Sequence, residues 1–128
     1  MKSFLISTGI LFIIAVFITT GSILVSRATD EILCKIDMLP TELSDDEEAM
    51  RNAAEAAKEL DSFWHRRSLY LSAVVSYPWI ANVDLEIIRL RESLASGAGT
   101  DYRTARTALY EAVSYIRKRE SFAFYNFI

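Results

Sequence analysis

Between Phe4 and Val25 the chain reads Phe4-Leu5-Ile6-Ser7-Thr8-Gly9-Ile10-Leu11-Phe12-Ile13-Ile14-Ala15-Val16-Phe17-Ile18-Thr19-Thr20-Gly21-Ser22-Ile23-Leu24-Val25, 22 residues without one charged side chain. At ~1.5 Å per residue such a helix is about 33 Å long, which matches a hydrocarbon core of roughly 30 Å. Lys2 stands before it and Arg27 after it, where each long side chain can lift its charge to the headgroups. The stretch is too uniform for a core helix of so short a chain. It also exceeds the ~7–15 apolar residues of a secretory signal. Ser26-Arg27-Ala28 fits a cleavage site only weakly, and Cys34 has no lipobox before it. The expectation is an uncleaved anchor over residues 1–27, with a cleaved leader as the alternative.

Orientation is nearly balanced. Lys2 and the terminal amine oppose Arg27 and Lys35. The very short segment before the span resembles a signal-anchor. The N-terminus is therefore expected in the cytoplasm and the rest of the chain outside. Cys34 would then lie in an oxidising space beside the membrane, free or bridged to a partner. Within the span, Thr8, Ala15, Thr19, Ser22 and Ser26 fall on one helical stripe. Small and hydroxyl residues at such spacing let another helix approach and hydrogen-bond. They are equally at home bonding back to their own helix. The stripe is a candidate partner interface.

Past Arg27 the pattern turns amphipathic. Ile32, Leu33, Ile36 and Leu39 keep a helical period up to Pro40, so residues 28–44 read as a juxtamembrane helix and linker. Ser44 and Glu47 have the spacing of a capping box, and Asp45 to Glu48 load the first turn with acid. The bundle domain spans 45–128. Its first helix carries Met50, Ala53, Ala57, Leu60, Trp64, Leu71 and Val74 on one face, with Arg67 in a slot where an apolar residue is due. Pro78 is expected to kink or end it near Tyr77. Ile80, Val83, Ile87, Leu90 and Leu94 mark the next helix, which stops at Gly97-Ala98-Gly99. Thr100 is the natural cap of a last helix bearing Tyr102, Ala105, Leu109, Ala112 and Ile116. The fold class is all-α: one N-terminal transmembrane helix, then a three- to four-helix antiparallel bundle or hairpin array. Roughly 15 sizeable apolar side chains offset the ordering of ~80 residues only with help, from the anchor's extension or from a partner.

Composition narrows the function classes. The chain has 128 residues, 52% of them apolar, a net charge of −3 and a pI near 5.2. No global basic field points to nucleic acid. One cysteine and one histidine leave no framework for disulfides or for a Cys/His metal site. No P-loop, G-x-S-x-G or H-E-x-x-H is present. Neither a catalytic set, nor a cofactor, nor a metal site is expected. His65 beside Arg66 and Arg67 is the one place to look for a reacting group. Asp84 and Glu86 with Arg89 and Arg91 read as surface ion pairing. Charge is segregated: Asp30 to Asp61 holds eleven acids and three bases, and Ser62 to Ile128 six acids and nine bases. The two halves can attract each other within one bundle.

The chain closes on Arg117-Lys118-Arg119-Glu120-Ser121-Phe122-Ala123-Phe124-Tyr125-Asn126-Phe127-Ile128. Phe122, Phe124, Tyr125, Phe127 and Ile128 form a second candidate partner interface. Three destinations are open to it: the bundle, a partner's groove, or the bilayer surface with the three bases on anionic headgroups.

Leu60-Asp61-Ser62-Phe63-Trp64, the helix from Val83 to Leu94 and the ending from Ser121 to Ile128 resemble a family of short membrane-anchored proteins of spore-forming Gram-positive bacteria, the domain of unknown function 4363. The similarity covers nearly the whole chain but rests on helix-face patterns. Pro78 and the alanine-rich first bundle helix depart from it. It implies no activity, and it implies an association with YetF-like membrane proteins. The expected function is a non-catalytic accessory subunit, bound to membrane lipid and to another integral membrane protein, with self-association left open. The alternative is a secreted helical module that binds a ligand or the cell wall.

Overall fold

A computed structural model describes residues 1–73 and 75–127, with side-chain surroundings for all of these except Ser22 and residues 120–127. Among the described residues the chain forms four helices: α1 (Lys2–Met38), α2 (Glu47–Leu71), α3 (Tyr77–Ser96) and α4 (Gly99–Phe127).

Most boundaries have a local cause. Proline disfavours helical geometry in the residue before it. Leu39 precedes Pro40 and is extended, with φ −72° and ψ 144°. α2 opens on Asp46, whose Oδ1 accepts from the Glu48 amide at 3.2 Å. Ser44 instead accepts from the Asp46 amide, so the cap lies two residues beyond the expected box. α2 ends at Leu71, well before Pro78. Val74, expected on its apolar face, lies outside the described residues. Pro78 sits in the first turn of α3. There its missing N–H costs nothing, so it starts a helix rather than ending one. Gly97 closes α3 with φ +71°, a conformation that disfavours any Cβ. Thr100 does not cap α4; it lies inside the helix, and its carbonyl accepts from Thr104 Oγ1.

Side-chain pairs fix the directions. Lys35 meets Glu59 and Glu31 meets Arg67, so α2 runs antiparallel to α1. Trp64 Nε1 donates to Asp84 and Arg91 pairs with Asp61, which sets α3 antiparallel to α2. Tyr102 reaches Pro40 while Arg117 reaches Asp30, so α4 runs back along α1. Sequential helices pack on each other and α4 closes onto α1; neither diagonal pair comes into close contact among the described residues. The result is an up-down-up-down four-helix bundle.

α1 lives in two environments. Phe4, Phe12 and Phe17 are 74%, 70% and 69% exposed. From Val25 onward one face disappears into the bundle: Val25, Ala28, Thr29, Ile32, Ile36 and Leu39 are buried. The help that the apolar inventory called for is thus supplied by α1 itself. The same core takes in Ala53, Ala57, Leu60 and Trp64 of α2, Val83, Ile87 and Leu90 of α3, and Tyr102, Leu109, Val113 and Ile116 of α4. The buried hydroxyl of Thr29 is satisfied by the carbonyls of Val25 and Ser26, at 2.8 and 3.0 Å.

Candidate membrane interface

The bundle has two unlike ends. At the distal end the α1–α2 connection and the start of α4 gather Glu42, Asp45, Asp46, Glu47, Glu48 and Asp101. The proximal end is the one from which the apolar half of α1 projects. Antiparallel packing brings the close of α2, the opening of α3 and the later turns of α4 there.

That arrangement collects residues far apart in the chain. Arg27, Arg66, Arg67, Arg117, Lys118 and Arg119 stand in the turns nearest this end. Asp30 and Glu31 stand among them, and each is paired to one of those bases, Arg117 at 3.0 Å and Arg67 at 3.4 Å. Aromatic and large apolar side chains share the level. Tyr77 is 77% exposed, Leu69 74%, and Tyr70 is exposed as well. Trp79 and Tyr115 stack with centroids 4.6 Å apart, and the Arg119 guanidinium lies 5.6 Å from the Trp79 ring. Amphipathic aromatic rings interleaved with bases are what a water–hydrocarbon boundary selects.

Where α1 leaves the bundle, a groove of about 380 Å³ opens between α1 and α2. Phe17, Thr20, Gly21 and Leu24 form one wall; Arg67, Tyr70 and Ala73 form the other. Arg67, the polar residue in an apolar slot, is half-buried here. Its guanidinium lies 4.6 Å from the Phe63 ring centroid.

The small-residue stripe is placed elsewhere. Thr8 Oγ1 donates to the Phe4 carbonyl and Thr19 Oγ1 to that of Ala15, at 2.9 and 2.8 Å. Both hydroxyls are thus spent within their own helix. Ser26 is half-buried, and the side chain of Ser22 lies outside the described residues. At ~100° per residue the stripe sits about a third of a turn from the face that enters the core. α4 is helical through Phe127. The side chains of Phe122, Phe124, Tyr125 and Phe127, and Ile128 altogether, lie outside the described residues.

The remaining chemistry is dispersed. His65 is exposed and shares a shallow depression with Asp61, Ser62 and Arg66. Among the described residues Asp84 forms no ion pair but accepts from Trp64, whereas Glu86 pairs with Arg89 at 3.0 Å and Arg91 with Asp61. A polar cleft of about 510 Å³ between α3 and α4 is lined by Glu86, Arg89, Glu92, Asp101 and Thr104 among others. Among the described residues no three His, Cys, Asp or Glu side chains converge as metal ligands would. Sequence alone singled out Arg67 but not Tyr70, Ala73 or the groove, because its walls come from segments some fifty residues apart.

No protein-family model, no curated protein and no solved structure matches the chain. These comparisons lend no support to the family expected from the helix patterns.

Proposed function

We propose that the chain is a single-pass membrane protein without catalytic duty, an accessory module that presents a rigid helical bundle at the bilayer to a larger integral membrane protein. One observation carries this: a single uninterrupted helix is apolar and exposed over its first half and a core helix of the bundle over its second. α1 is long and apolar enough to cross a membrane or to act as a signal sequence. Cleavage after Ala28 would take Val25 and Ala28 out of the core and leave the Thr29 hydroxyl without its partners. That weighs against the secreted alternative.

The six bases at the proximal end bear on orientation. Counted along the chain, charges near the span almost tie. Counted in the fold, bases gather at the end of the bundle that would meet the membrane, which favours the anionic cytoplasmic face. The orientation adopted is the reverse of the one expected from the short leading segment: bundle inside, Lys2 outside.

Two experiments test the proposal. Co-purification in mild detergent is expected to recover a second membrane protein; a lone monomer, unaltered by deletion of residues 122–128, counts against an accessory role. A membrane-impermeant maleimide is expected to label Cys34 only after cell lysis. Labelling in intact cells would restore the outside orientation.

A further inference from the structure

We propose that the groove between α1 and α2 at the root of the projecting helix is a binding site for one phospholipid. Its phosphate would lie on Arg67 and an acyl chain would run against Phe17, Gly21 and Leu24. The inference rests on the reading of α1 as a membrane span and goes beyond it, because it assigns a discrete site rather than general solvation by lipid.

Position chooses the ligand class. The groove straddles the last turns of the apolar segment and the first level of bundle side chains, where hydrocarbon gives way to headgroups. Its floor is apolar, and Gly21 and Ala73 leave the space open by lacking bulk. Its volume of about 380 Å³ is that of a ligand pocket rather than a packing flaw. At its rim stands a guanidinium with five N–H donors. The bond to Glu31 is long, at 3.4 Å, and engages Nη2 only. The face of Phe63 holds the group in place, 4.6 Å from the ring centroid. Arginine matches a phosphate's oxygens through two parallel bonds. The Tyr70 phenol stands on the same wall and can donate to the glycerol ester region. Glu31, next to Arg67, complements the ammonium of a zwitterionic headgroup. The match is therefore to a phosphatidylethanolamine-type lipid.

The test is native mass spectrometry of the full chain, released from detergent after reconstitution with phosphatidylethanolamine. The expected spectrum shows one retained lipid per chain. Gly21→Leu and Ala73→Leu, which fill the groove, remove it. Arg67→Gln lowers its occupancy about tenfold, the effect of one charge-assisted bond, and Arg67→Lys restores part of it. Leu11→Ala, outside the groove on the same helix, changes nothing. Thermal melts followed by circular dichroism show which variants keep the bundle, and with two filling variants one is expected to remain folded. Absence of a bound lipid in the wild type, equal retention in the filled variants, or equal loss in Leu11→Ala overturns the proposal. Recovery of the chain from cells without detergent would instead overturn the membrane reading beneath it.

Discussion

The phenol of Tyr102, in the first turn of α4, donates its hydrogen to the carbonyl of Pro40, just past the end of α1. One bond thus ties the last helix to the exit of the first. Arg106, one turn on, donates to the carbonyls of Ile36 and Leu39 at 3.2 and 3.4 Å, where the helix dipole favours a cation. Together these two side chains engage three carbonyls at and just past the close of α1.

Tyr102→Phe is expected to cost about 1 kcal/mol, the net worth of one hydrogen bond. The loss should depend on pH. Burial raises the Tyr102 phenol above its ordinary value, partly opposed by the Arg106 charge. The folded state thus favours the neutral form more than the unfolded chain does. Stability is fully present below the unfolded value near 10 and declines as pH rises from there through the folded value. Denaturant titrations at pH 8 and pH 11 should show the wild type losing more stability than Tyr102→Phe over that interval.

Trp64 is buried, and its indole N–H has Asp84 as acceptor. Asp84→Ala strands that donor and is expected to cost about 1–3 kcal/mol. Asp84→Asn keeps an acceptor oxygen and should restore most of the loss. If both variants melted alike, the bond would contribute nothing to the α2–α3 interface.

α1 should respond to truncation in two ways along its length. Ile36 is fully buried, and Ile36→Ala is expected to cost about 2–5 kcal/mol of bundle stability. Ile13 is 67% exposed. Ile13→Ala should stay within about 0.5 kcal/mol. Thermal unfolding in one detergent compares the pair directly.

Gly97→Ala isolates a backbone effect. Nothing lies within 4 Å of the Cβ it would gain, so crowding is excluded and only φ +71° resists the change. The expected cost is about 1–2 kcal/mol. Gly97→Asn should lose less, since asparagine tolerates that conformation.

Local chemistry was largely legible before the fold was known. Every apolar position expected on α3 is buried, and on α4 Tyr102, Ala105, Leu109 and Ile116 are as well. Helical period and burial share one cause there, so pattern sufficed. The errors sit at the ends. Ser44 and Asp46 both offer a capping oxygen, and only the three-dimensional path of residues 40–46 decides between them. Pro78 forbids a helix interior but fits either a stop or a start, and the break after Leu71 carries no sequence mark as strong. The segregated charges were visible, and their use is now plain: Glu31, Asp61, Glu42 and Asp30 each pair with a base from the second half of the chain. Such exposed pairs are worth under about 1 kcal/mol each, so they steer register more than they stabilise. The ring of bases and aromatics at the proximal end and the groove were not readable, because the first is assembled from four helices and the second from two segments some fifty residues apart.

The unbroken passage of α1 from Leu24 into Val25 makes the molecule a lever. A bilayer thinner than the apolar half forces that helix to lean, and with no hinge at the root the whole bundle leans with it. Leu39 stands some 21 Å beyond Val25, so a lean of about 20° sweeps the acidic far tip sideways by about 7 Å. In the proposed setting, a change in lipid thickness is thereby converted into lateral displacement of a charged surface.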